Sequence, residues 1–279
     1  MADMGVTETV ATAKLIISDM VQQELIETSN ILGTVMNYTS EVEPGAKSVA
    51  IPRAGSFTAA AKTENTEATK QVLTFATDVI ALDQHKQVTV RLEDIARRQA
   101  GVNVEAQVIE RMASAMVYDI EAYLYAKVKK AANDIQLTGT SNLLITKADI
   151  LNARKTLDDA KVPNADRYIL ISPNQEAAML NISDFVKANE YGSVRGIQNG
   201  ELGEIFGLKV IKSTVVGDTE AFVYHKSHVG FALDLDMDFE KSRAPAGFYA
   251  DDFALQAIYG AVQLDSGNRG VMLDESAVA

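Results

Sequence analysis

The chain contains no cysteine and no tryptophan. Without thiols it cannot be a small domain stapled by disulfides, bind a metal through thiolates or use a cysteine nucleophile. A cysteine-free composition fits a reducing cytosol. No uninterrupted apolar run approaches the roughly 18 residues of a membrane span, so no membrane partner is expected. The first residues, Met1-Ala2-Asp3-Met4-Gly5, offer neither a basic nor a continuous apolar stretch, so no signal peptide is read there. Positive charge is also short. The formal net charge is −12 and the isoelectric point about 4.8, and such a chain repels nucleic acid in bulk. The best basic cluster is Arg91, Arg97, Arg98 and Arg111, but Glu93, Asp94, Glu105 and Glu110 interleave it. That pattern reads as solvated or ion-paired surface rather than as a DNA contact.

Recognisable catalytic patterns are missing as well. The run Asn199-Gly200-Glu201-Leu202-Gly203 has neither the Lys-Ser/Thr of a phosphate-binding loop nor the glycine triplet of a dinucleotide fold. No Gly-x-Ser-x-Gly elbow occurs. Asp234, Asp236 and Asp238 alternate and would share one face of a strand, which suits a hard cation. A calcium loop would then need Gly and Glu where Phe239 and Pro245 stand. The expected role is an acidic strand face, solvated or paired with basic groups of a neighbour. His225 and His228 are close in sequence, with Asp234 the one tempting third ligand, but they read as ordinary surface or interface histidines. His85 stands alone. A metal-dependent hydrolase using Asp234, Asp236 and His228 is the competing reading from another functional class. Metal analysis separates it from the others.

What is present is 279 residues, 47% of them hydrophobic and 23% charged, enough for one large domain or two intertwined lobes. Residues 7–32 predict an amphipathic helix, with Ile17, Val21 and Leu25 at four-residue spacing and Gly33 as its stop. Residues 41–90 predict two strand-like legs around a small, polar tip, each leg reaching roughly 60 Å if fully extended. Such a ribbon has too few apolar residues for a core of its own, and ordering it is expensive unless another subunit covers it. Residues 93–132 predict one long helix, loosened at Gly101. Glu93 and Asp94 lie at its start and Lys127, Lys129 and Lys130 at its end, an order that suits the helix dipole.

Thr146 with Asp149 approximates a capping box for the next helix, which ends before Pro163. Tyr168 to Ile171 predicts a short buried strand. Ser172, Pro173 and Gln175 then open a second capped helix. Glycines recur from 189 to 207, which predicts a mobile loop and a tight entry to a strand at Leu208–Ile211. Further strands are expected at 221–224, 229–235 and 253–264.

The stretch from Lys161-Val162-Pro163 to Ile171-Ser172-Pro173, followed by Glu204-Ile205-Phe206-Gly207-Leu208-Lys209-Val210, resembles the major capsid proteins of tailed bacteriophages, whose fold is shared with encapsulin shells. The resemblance covers nearly the whole chain. It implies an α+β fold with an N-terminal arm (1–40), an extended β-hairpin loop (41–90), a peripheral domain with a long spine helix (91–142), an axial α/β domain (143–228) and a return to the peripheral domain (229–279). The implied function is structural, not enzymatic, with no cofactor and no metal: self-assembly as hexamers and pentamers into an icosahedral head around double-stranded DNA. An encapsulin-like compartment shell is the alternative.

Implied partners are copies of the chain itself, a separate scaffolding protein, a portal, packaged DNA on the inner face and decoration proteins. The implied location is the virion, assembled in the host bacterial cytoplasm. A separate scaffold is expected because the chain begins almost directly at the arm. Arg53, Lys62, Glu64, Glu67 and Lys70 are the candidate subunit contacts. Each exposed pair among them is worth roughly 0 to 1 kcal/mol, so the apolar legs have to supply most of the affinity. Some relatives lock the shell by Lys–Asn isopeptide bonds. Lys62 lies near the tip, but no partner Asn or catalytic acid can be matched to it.

Overall fold

The structure is a computed structural model and describes residues 30–43, 45–55, 57–99, 104–131, 133–138, 144–180, 203–234, 238–245 and 247–275. The helix expected over 7–32 therefore lies, up to residue 29, outside the described residues. So do most of the Gly-rich stretch, Gly101 and Asp236.

Two sheets share one helix. In the first, the strand β12 (Ala250–Gln263) is central. One edge of β12 pairs antiparallel with β4 (Gln84–Glu93) over the whole length of β4. The opposite edge takes β10 (Val229–Leu233) and then β11 (Asp238–Arg243). The register slips by two residues between the pairs Leu233↔Tyr259 and Asp238↔Gln256. Asp234 thus follows the end of β10 and Asp238 opens β11, so these two do not share one continuous strand. β1 (Met36–Asn37) extends this sheet in parallel beside β10.

The second sheet has the order β5 (Asn133–Gln136), β13 (Gly270–Asp274), β9 (Ala221–His225), β6 (Arg167–Ile171), β8 (Leu208–Lys212), β7 (Glu204–Ile205). β7 and β8 are joined by Phe206 and Gly207, with φ of 49° and 77°. Two consecutive left-handed residues suit the twist of a two-residue hairpin, and glycine takes that conformation without strain.

Two helices stand where the sequence predicts one: α1 (Asp94–Gln99) and α2 (Val104–Val128). The second is about 37 Å long. Its Met112, Met116, Ile120 and Leu124 are buried against Phe231, Phe253, Leu255 and Tyr259 of the first sheet and Leu170, Phe222 and Tyr224 of the second. Polar ties repeat this double attachment. Asp119 accepts from the Tyr259 hydroxyl at 2.5 Å, and the Tyr125 hydroxyl donates to Glu220.

The other face of the second sheet is covered by α3 (Lys147–Asp159) and α4 (Pro173–Leu180), where Ile150, Ala153, Leu157 and Met179 meet Ile169, Ile171, Val223 and Leu273. β6 is therefore buried on both faces, which is why it reads as an unbroken apolar run rather than an alternation. The capping box of α3 is formed: Thr146 Oγ1 accepts from the Asp149 backbone N–H, and Asp149 accepts from that of Thr146 at 2.9 Å. Ser172 Oγ accepts from the Gln175 N–H at 3.2 Å, and Pro173 opens α4. Arg167 explains part of the distinctive wording before β6. Its guanidinium is 2% exposed and donates to the carbonyls of Val162 and Pro163 at 2.6 and 2.8 Å, so it fastens the turn after α3 to the start of the strand.

Candidate interaction surface

The remaining pair, β2 (Ser48–Ala54) and β3 (Phe75–Ala81), is the ribbon expected between 41 and 90. It pairs antiparallel from Ser48↔Ala81 to Ala54↔Phe75. The paired part is shorter than the expected legs, because the described residues between Gly55 and Thr74 form no strand. The two legs still run side by side beyond it. The Gly55 N–H donates to the Thr74 carbonyl at 2.8 Å, and Gln71 brackets Thr58 through both its amide atoms. The return leg does not continue into a longer ribbon. It turns at Leu82-Asp83, and β4 joins the first sheet.

Alternation gives the ribbon two faces. On the inner face Val49 and Ile80 are buried with Val42 and Ala232, and Tyr38, Ile51, Leu82 and Val262 pack around them. The outer face carries Ala50 opposite Val79, Pro52 opposite Thr77 and Ala54 opposite Phe75. Val79 is 48% exposed and Phe75 64%. The apolar character continues toward the tip through Phe57, Val72 and Leu73, all exposed. Burying one such side chain is worth roughly 1.5–3 kcal/mol, so a row of them left in water is a candidate contact surface.

The root is held rigidly. The carbonyl oxygen of Ala81 lies over Gly260, where a Cβ atom would sit 1.9 Å from it. Only glycine admits so close a backbone crossing. Arg53 forms an ion pair with Asp265, and the Asp265 N–H donates to Asp78 of the opposite strand at 3.4 Å. Both strands are thus tied to one turn of the body.

The candidate contacts divide accordingly. Arg53 sits at the root and is engaged within its own chain. Lys62 and Glu64 stand exposed at the tip, while Glu67 and Lys70 pair with each other at 2.7 Å, both largely in water. Sequence reasoning missed Asp265 and Gly260, whose partners are distant in the chain.

The other candidates resolve differently. Arg91 binds Asp252 through two hydrogen bonds of 2.6 and 2.8 Å, and Arg97 contacts Asp94, Glu105 and Asp251. Two members of the basic cluster, Arg91 and Arg97, are thus ion-paired. His228 is not a surface residue: it is fully buried beside Gly270, its Nε2 lies 3.3 Å from the Val128 carbonyl, and its Nδ1 has no hydrogen-bond partner among the described residues. Burial pushes its pKa down from 6.5 to about 4. His225, half-buried, is also lowered, by burial first and then by Arg269. Among the described residues no three metal-ligating side chains gather, and no helix is long and apolar enough to cross a membrane.

The fold has clear counterparts. A solved structure from Mycobacterium phage Che8 is similar with a TM-score of 0.73 at 16% identity, covering 89% of this chain and 92% of that one. The capsid structure of the cyanophage P-SCSP1u gives 0.70 at 17% identity, covering 88% and 87%. A virus-like particle from Pyrococcus furiosus gives 0.62 at 11% identity, covering 94% and 99%. At these identities the likeness is one of fold. No match is found among curated proteins. The family described as phage capsid protein matches residues 75–262, from the second strand of the ribbon to the end of β12 and two thirds of the chain. The chain therefore belongs to the phage capsid protein family, and it is a structural major capsid protein of the virion shell.

Proposed function

We propose that the chain assembles as hexamers and pentamers into an icosahedral head that encloses double-stranded DNA, and that it does so without an enzymatic step. The observation that carries this reading is the ribbon's outer face. Phe75 and Val79 are ordered on a rigid root yet stand in water, and copies of the same chain are the cover that a closed shell provides at every position. In this reading Arg53 fixes the angle of the ribbon, while Lys62, Glu64, Glu67 and Lys70 meet charges at the rim of a neighbour.

On the body, the groove of about 530 Å³ between β4 and α2, lined by Val88, Val90, Val104 and Val108 together with Gln107, Glu110 and Arg111, is the surface proposed to receive the apolar leg of another copy. Many such contacts, each weak, let wrongly placed subunits leave before the shell closes, and multiplicity supplies the final affinity. Scaffolding protein, portal and decoration proteins are the partners this assembly calls for, in a bacterial cytoplasm. Bulk negative charge keeps DNA contact non-specific and confined to local patches of the inner face.

The test is electron microscopy of the expressed chain, alone and with the scaffold encoded beside it. Closed shells of uniform size are expected. Protein that stays monomeric under every condition overturns the reading, and shells filled with a protein cargo instead of DNA move it to a compartment.

A further inference from the structure

Six charged side chains close a ring at one end of the first sheet. Asp94 contacts Arg97 at 2.9 Å, Arg97 contacts Glu105 at 2.5 Å, and Glu105 contacts Lys241 at 3.1 Å. Lys241 lies 3.7 Å from Asp251, Asp251 contacts Arg243 at 2.9 Å, and Arg243 returns to Asp94 at 2.6 Å. Signs alternate all the way round, and Arg97 also reaches across to Asp251 at 3.0 Å. The ring joins four elements: α1, the first turn of α2, β11 and β12. Its carboxyls are held below the usual carboxylate range, Asp94 and Asp251 chiefly by hydrogen bonds from Arg243 and Glu105 chiefly by one from Arg97.

Among the described residues, no hydrogen bond or ion pair outside the ring holds the helix α1 to the body beyond its first turn. None of its residues is buried, only Asp94 and Arg97, both ring members, are partly shielded, and the other four are exposed. Its one large apolar residue, Ile95, is 63% exposed. Six residues are far too few to hold a helix by themselves. Its start is fixed where the Asp94 N–H donates to the Tyr249 carbonyl at 2.9 Å. Everything after that is fastened by charge. By contrast α2, immediately following, buries eight residues, Met112 to Val128 among them.

We propose that α1 is a charge-held strap: a segment that leaves the sheet when the ring is screened or broken, while the apolar core of the fold stays intact. Exposed ion pairs weaken as the screening length falls from about 10 Å at 0.1 M salt to about 3 Å at 1 M, whereas apolar packing does not. The strap also controls a surface. Fastened, it holds the exposed Ile95 next to Asp94, whose N–H is bonded to the carbonyl of the exposed Tyr249. Released, it carries Ile95 away from that anchored position. The end of the sheet therefore has two states that differ in what they present to a neighbouring molecule. This inference does not depend on shell assembly.

The test is hydrogen exchange of the full-length protein, read by mass spectrometry on peptides covering 94–99 and, as internal control, 112–124. In the native sequence, raising salt from about 0.1 to 1 M should speed exchange in 94–99 by about tenfold and leave 112–124 unchanged. Arg97→Gln, which removes three ties at once, should show the fast rate already at low salt and no further response. Lys241→Gln, which leaves α1 itself untouched, should give an intermediate rate and serves if Arg97→Gln does not fold. Exchange in 94–99 that ignores both salt and substitution overturns the proposal. So does acceleration that spreads equally to 112–124, because the strap would then be inseparable from the core.

Discussion

The strand β6 and the ribbon strand β3 both carry large apolar side chains, and these meet opposite fates. In β6 every residue is buried, Tyr168 and Leu170 against α2 and Ile169 and Ile171 against α3 and α4. In β3 only Ile80 is buried, while Phe75 and Val79 face water. One strand completes its burial within a single chain; the other stops halfway. In the assembly proposed above, the difference separates residues that hold the monomer from residues that hold a shell. The two groups should answer differently to the same kind of substitution.

The largest effect is expected inside the lobe. Leu170→Ala should lower the unfolding free energy of the unassembled chain by about 2–5 kcal/mol, read as a shift of the urea midpoint. A loss under about 1 kcal/mol would mean that β6 is not the shared wall of two cores.

Acid comes next. His228 is held neutral in the fold, so its contribution is complete above pH 6.5 and is lost as pH falls toward 4. The loss over that window is on the order of 3 kcal/mol, and it should appear as a falling urea midpoint. His228→Phe should flatten the pH dependence between 6.5 and 4, whatever it does to stability at neutral pH. A slope that survives this substitution belongs to other groups.

Gly260→Ala tests the joint between the two regions. The added methyl meets backbone, not a movable side chain, so about 1–3 kcal/mol should be lost. Exchange should rise in 75–82 more than in 167–171. Smallest on the monomer is Phe75→Ala, expected within about 0.5 kcal/mol. Yet the yield of closed shells should fall sharply when counted by microscopy. Equal damage to monomer and shell would erase the contrast.

Much of this contrast is legible from local chemistry. Thr146 and Asp149 announce the start of α3, since a capping box is a contact between near neighbours. Four apolar residues in a row before Ser172-Pro173 announce β6. Alternation around a polar tip announces the ribbon. What stays hidden depends on distant partners. β11 reads Asp-Phe-Glu-Lys-Ser-Arg and buries only Phe239; it is a strand because β12 pairs with it and the charge ring holds it. β5 and β13 are short and lie outside the expected strands; β13 pairs with β5 on one side and β9 on the other. The buried state of His228 follows from the space beside Gly270, which no pattern of residue types encodes. Of the ribbon, the exposed row and the charged tip were readable. Its anchoring was not: Arg53 and Asp265 lie 212 residues apart.

The crossing at Gly260 sets more than local fit. The ribbon leaves the body there as a lever whose fulcrum is the contact between one carbonyl oxygen and a bare α-carbon. Any shift at that fulcrum is multiplied along the limb, so a displacement too small to disturb the core swings Phe57 and Val72 across a wide arc. In the assembly proposed above those side chains are set down on other copies, and there the curvature of a finished shell would follow from the absence of a single methyl group.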